Sequence, residues 1–246
     1  MISLEGKVVL VTGGAHRVGK AIALALAAEK MQVLITYHNS QEQAQETVEE
    51  ISKISMPSMA FQCDQTDNYQ ISQVMDEISN RYGRLDALVN CASIMQEVPF
   101  TEVTQEMWDA GMADNVRGPF FFSHMAAGLM MGGESGSGVI INLLDEPAVS
   151  PTKYFVHHSA TKAALHMLTR SMALALAPQI RVNAVLPGPV LMPEGGDVEK
   201  WQRLEKNTPL KRLGTPESVT RAVIYIMKEA FMTGQVITVD GGRTIK

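Results

Sequence analysis

The chain has only two cysteines in its 246 residues, Cys63 and Cys91, and no CxxC pair. That excludes a disulfide framework and a thiolate zinc site, and it favours a reducing compartment. Long apolar runs are missing as well. The run nearest the N-terminus, Val8 to Val11, is short and follows the charged Glu5 and Lys7. It fits neither a signal-peptide core nor a membrane span, so a cytoplasmic protein is expected. Charge of one sign is also lacking: 21 Lys+Arg against 26 Asp+Glu give a formal net charge of −5. This argues against a nucleic-acid partner and against a membrane-surface binder. No internal repeat is present, and the one low-complexity patch, Gly132 to Gly138, reads as a turn. His124, His157, His158 and Asp145 show no metal-ligand spacing, so no metal is expected.

What remains is an ordinary soluble composition, 46% hydrophobic and 19% charged, which at this length suits a single domain over residues 1–246. Short apolar runs alternate with helical periodicities. Strands are expected at 7–12, 32–37, 58–62, 85–90, 138–143, 181–186 and 235–239. Helices are expected at 18–30, 42–54, 68–82, 104–113, 115–131, 159–177 and 216–228. Continuous apolar strands alternating with helices predict an α/β protein of the Rossmann type: a doubly wound, mostly seven-stranded parallel sheet with helices on both faces. Ligands of such sheets bind at the carboxyl ends of the strands.

The first strand runs through Thr12-Gly13-Gly14-Ala15-His16-Arg17-Val18-Gly19 into a helix. Glycines allow the sharp turn and close approach that a pyrophosphate needs, and the helix N-terminus supplies free N–H groups. Gly13, His16, Arg17, Val18 and Gly19 are therefore candidate cofactor-binding residues. The second strand ends Tyr37-His38-Asn39-Ser40, without the carboxylate that would hold an unphosphorylated ribose. With Arg17 adding positive charge, His38, Asn39 and Ser40 favour NADP(H) over NAD(H).

These motifs resemble the short-chain dehydrogenase/reductase family across the whole chain. Thr12, Gly13 and Gly19 match its glycine motif, and Asp64 its adenine-side acid. Asn90-Cys91-Ala92-Ser93 resembles its segment after the fourth strand, and Asn115 its catalytic-helix asparagine. Pro187-Gly188 matches its turn after the sixth strand, and Asp240-Gly241-Gly242 its closing strand. Within the family the look is nearest to pteridine and dihydromonapterin reductases, through Arg17, the 37–40 stretch, Asp145 in the usual serine position, and Arg243. The resemblance implies Asp64, Asn90, Lys162, Pro187 and Gly188 at the cofactor, Ser93, Met95 and Arg17 at the substrate, and a lid around 188–214. It also implies a homodimer or homotetramer, for which Ala163, Ala164, Met167 and Ser171 offer a face.

One position departs from the pattern. The family's Tyr-x-x-x-Lys pairs two side chains on one helix face, but here His158 stands four residues before Lys162, and Tyr154 lies eight before it. Imidazole can also move a proton near neutral pH. The expected roles are a proton-transfer pair of Asp145 and His158, Lys162 on the ribose and tuning His158, and Asn115 holding a water. The product would be an NADPH-dependent reductase acting on a C=N or C=O bond of a small, pterin-like substrate. The competing reading is a cofactor-binding pseudoenzyme, a regulatory or structural subunit paired with an active relative. In it His157-His158 is only a histidine pair at a helix start, and Asp145 only a turn residue.

Overall fold

The structure, a computed structural model, describes residues 1–193 and 195–246. Seven strands, β1 (Val8–Val11), β2 (Gln32–Tyr37), β3 (Met59–Gln62), β4 (Ala87–Asn90), β5 (Gly138–Leu143), β6 (Ile180–Pro187) and β7 (Val236–Val239), form one sheet in the order β3-β2-β1-β4-β5-β6-β7. Every neighbouring pair is parallel. Parallel pairing forces a crossover between strands, and each crossover here carries helix that covers a face.

The strand periodicity distributes the core. Val9 and Val11 of β1 point to one side with α1 (Arg17–Ala28), α2 (Gln41–Ile54) and α8 (Pro216–Lys228). Val8 and Leu10 point to the other, against α3 (Asn68–Tyr82), α5 (Gly118–Gly132) and the long α6 (Val156–Leu176). Ile22 and Leu26 on α1, one helical turn apart, are fully buried; each such side chain stabilises the fold by roughly 1.5–3 kcal/mol. Among the described residues no helix is long and apolar enough to cross a membrane.

Three elements differ from the sequence expectation. The helices expected at 104–113 and 115–131 are not separated by a break. α4 (Gln105–Met112) passes through a π-turn, Ala113–Arg117, directly into α5. The last long helix starts at Val156 rather than Ser159, which places His158 inside its first turn. The lid contains a helix that glycine-rich flanks concealed, α7 (Val198–Asn207), capped by Asp197, whose carboxylate accepts from the backbone N–H of Glu199 and Lys200. Of the expected lid, Glu194 lies outside the described residues.

Candidate active site

After β3 the chain returns to pair β4 with β1, which opens a crevice between the carboxyl ends of those two strands. Thr12 closes its floor: its Oγ1 accepts from Cys91 N at 3.0 Å and Ala92 N at 3.1 Å. Gly13 has φ +64°, and a Cβ there would lie 2.9 Å from Ala92 Cα. A Cβ on Gly19 would lie 2.1 Å from Gly13 O. Only glycine allows this packing. His16, exposed at the start of α1, caps nothing with its side chain, so the first-turn N–H groups remain available. Around the rim His38 and Asn39 are exposed and Ser40 is half-buried. Asp64 accepts from Thr66 N and Oγ1, both at 2.8 Å. Burial opposes ionisation of Asp64, but the Thr66 bonds, with His38 and Arg117, hold its carboxyl below the usual range. A narrow glycine loop, an uncapped helix N-terminus and no acid at the end of β2 fit a nicotinamide dinucleotide.

Beside the crevice a cavity of about 570 Å³ is lined by Val18, Met95, Asp145, Phe155, Leu191 and Trp201, with Pro187 and Gly188 on its wall. The lid closes over it. Arg17 donates through Nη1 to Met192 O and through Nη2 to Leu191 O, both at 3.2 Å. Lys200 Nζ holds Glu97 Oε1 at 2.6 Å. Ser93 is exposed and lies outside the lining, whereas Met95 and Arg17 are part of it.

At the inner end three sequence-predicted residues meet: Asp145, His158 and Asn115. His158 Nε2 lies 2.5 Å from Asp145 Oδ2. The other ring nitrogen, Nδ1, lies 3.4 Å from Asn115 Nδ2. The Asn115 amide is oriented by its backbone partner: Oδ1 accepts from Ile94 N at 3.0 Å, and Nδ2 donates to Ile94 O at 2.9 Å. It also donates to Thr161 Oγ1 at 3.1 Å. Nδ1 thus faces the Asn115 amide and Nε2 faces the Asp145 carboxyl, so a ring that donates to Asp145 carries its proton on Nε2. The π-turn makes this possible by directing Asn115 inward, a common use of π-bulges. Both amide protons of Asn115 go to protein partners, Ile94 O and Thr161 Oγ1. His158 is 1% exposed and stands behind Asp145, whose side chain is 24% exposed and lines the cavity. Asp145 Oδ1 is buried and has no hydrogen-bond partner among the described residues.

Lys162 Nζ donates to Leu143 O at 3.0 Å. Burial holds its ammonium below the ordinary range, with Asp145, Cys91 and Asp114 pulling the other way. Asn90, expected at the cofactor, spends its amide nitrogen on Asn142 Oδ1 at 2.8 Å and Ser123 Oγ at 3.0 Å, tying α5 to the sheet. Tyr154 lies before α6, half out in solvent with Lys153 over its ring, and is not among the residues lining the cavity. Sequence reasoning missed Phe155, Trp201, the Glu97–Lys200 latch and the pairing of Arg243 with Glu146; of these Trp201 left a signal in its spacing with Val198 and Leu204 on a capped helix, and Arg243 in the tail motif. Among the described residues no group of His, Cys, Asp and Glu is placed to hold a metal ion.

This fold and this crevice define a dinucleotide-binding oxidoreductase. The chain belongs to the short-chain dehydrogenase/reductase family: a family model described as enoyl-(acyl carrier protein) reductase matches residues 13–244. L-rhamnose 1-dehydrogenase (NAD(P)(+)) of Sphingomonas sp. strain SKA58 is 32% identical, covering 97% of this chain and 96% of its own. The 3-oxoacyl-[acyl-carrier-protein] reductase FabG of Thermotoga maritima is 33% identical, covering 98% and 99%. Among solved structures, FolM alternative dihydrofolate reductase 1 from Brucella canis, complexed with NADP, superposes with a TM-score of 0.90 at 30% identity, covering 100% of this chain and 97% of that one.

Proposed function

We propose that the chain is an NADPH-dependent reductase of a C=N or C=O bond in a small, flat, pterin-like molecule, with Asp145 as the proton donor. The observation that carries this is the His158–Asp145 contact at 2.5 Å on a residue that lines the cavity, with Asp145 Oδ1 buried and unpartnered among the described residues. A bound nicotinamide supplies the hydride to the substrate carbon. The heteroatom then needs a proton, and the Asp145–His158 pair beside the cavity is placed to deliver it. His158 Nε2 holds Oδ2 at 2.5 Å and fixes the direction of the carboxyl group. Asn115 packs against the other ring nitrogen of His158. Lys162 holds the ribose side. Phe155, Met95 and Trp201 offer faces for a flat ring. The acid-free end of β2, with His38, Asn39 and Ser40, supports NADP(H), as does the likeness to an NADP-bound neighbour. A homodimer or homotetramer is the proposed assembly.

The test is NADPH binding followed by NADPH consumption over pterins, quinones and ketoacyl compounds, for the native chain, Asp145→Asn and His158→Tyr. The expected result is pterin turnover that falls about 10²–10⁴-fold in Asp145→Asn, with NADPH binding retained. Binding without turnover in the native chain, and turnover gained in His158→Tyr, would instead establish the pseudoenzyme.

A further inference from the structure

The geometry points to Arg243, in the last turn of the chain, as a positioning residue for Asp145 that acts through Glu146. This rests on the reading of Asp145 as the proton donor. Asp145 begins a 3-10 turn, Glu146–Ala148, in which Ala148 N donates to Asp145 O at 3.0 Å. Its next neighbour, Glu146, is held at two points: Arg243 Nε donates to Oε2 at 2.6 Å and Nη2 to Oε1 at 3.1 Å. A planar fork on a carboxylate fixes direction as well as distance, which a lysine ammonium does not. Both side chains are largely buried, at 17% and 16% exposure. An ion pair so placed is weak evidence of stabilisation, because desolvation offsets much of its attraction. What it does is set the direction of the turn that carries Asp145.

Arg243 is itself anchored on three sides. Asp240 Oδ1 accepts from Gly242 N at 2.8 Å and Oδ2 from Thr244 N at 2.7 Å. Gly241 and Gly242 take φ of +68° and +90°, the left-handed conformations that turn the tail back over the site. Gly188, on the cavity wall, lies so close that a Cβ on it would be 2.8 Å from Asp240 Cα. Past α7, Leu210 N donates to Gly241 O at 3.2 Å, and Lys246 Nζ donates to Asn207 O at 2.8 Å. The tail thus braces the Asp145 turn, the Pro187-Gly188 turn and the end of the lid together.

The test is the double variant Glu146→Gln/Arg243→Gln, which removes the ion pair and keeps the net charge. Two quantities are read: steady-state rates, and the downfield ring-proton signal of His158 by proton NMR, assigned by its loss in His158→Ala. The expected result is a kcat lowered about tenfold or more, because a donor displaced by about 1 Å delivers poorly, with NADPH affinity within about twofold. The His158 signal should shift or broaden. Arg243→Lys should fall between the two, and the swap Glu146→Arg/Arg243→Glu should recover part of the signal. An unmoved His158 signal with kcat within about twofold overturns the assignment. Equal losses of kcat and NADPH affinity in all variants also overturn it, since they indicate general loosening. If the native chain binds NADPH and turns nothing over, the proposed function fails, while the NMR signal still decides the role of Arg243.

Discussion

Cys63 and Lys162 illustrate at the scale of single residues how burial favours the neutral form of opposite groups. The Cys63 thiol is 4% exposed. Its burial, with the negative charges of Asp64 and Asp67, pushes it up to about 12 from an ordinary 9.0. Its folded value is raised, so its contribution to stability is complete below the unfolded value and is lost as pH rises from 9 towards 12. Urea unfolding at about pH 8 and about pH 10.5 should therefore show a larger loss of stability in the native chain than in Cys63→Ala. Equal losses would mean that the unfolded thiol is not the one that ionises first. Lys162 was legible through the resemblance to the family's lysine; its desolvation and its bond to Leu143 O were not, because they depend on β5 running beneath α6. His158 was legible as a departure, but its ring partners, Asn115 and Asp145, came from two other segments.

At the scale of elements, Arg17 shows a local conflict resolved by a distant contact. It takes φ +54°, a left-handed conformation, in a position where many relatives by resemblance carry glycine. Its guanidinium then reaches 174 and 175 residues along the chain to the lid. Arg17→Gly should relieve about 1 kcal/mol of backbone strain and raise Tm, while a less firmly closed lid raises KM for substrate several-fold, roughly as the loss of one or two charge-assisted hydrogen bonds would. A variant that is less stable than the native chain would show that the lid contacts outweigh the strain. The lid helix itself was hidden from the sequence because none of its residues is buried and its glycine-rich approach reads as loop. The start of α6 was misplaced for a related reason: Ser159 looks like a cap, but its hydroxyl is buried without a partner, and the helix begins a turn earlier.

At the scale of the whole molecule, α6 presents an outer stripe of Ala163, Met167, Ser171 and Leu174, with Met167 57% and Leu174 85% exposed. Large apolar side chains left in water along one helix face mark an association surface, and a second copy of the chain could cover them by two-fold packing. Sedimentation should give a dimer or tetramer for the native chain and a smaller species for Leu174→Asp. A monomeric native chain would overturn the proposed assembly.

The sequence alone determined the alternation of strands and helices, because parallel strands buried on both faces must be apolar throughout. It also located the glycine loop and the order of the site residues, since these depend on local turn geometry and on spacing along one helix. Tertiary structure decided what those residues face. The His158 ring is set between Asp145 and Asn115, and the orientation of Asn115 depends on Ile94 across a π-turn. The aim of Asp145 depends on Glu146 and on Arg243, 97 residues further along the chain. Hydrogen bonds of that kind join groups far apart in sequence, and no local pattern of residues encodes them.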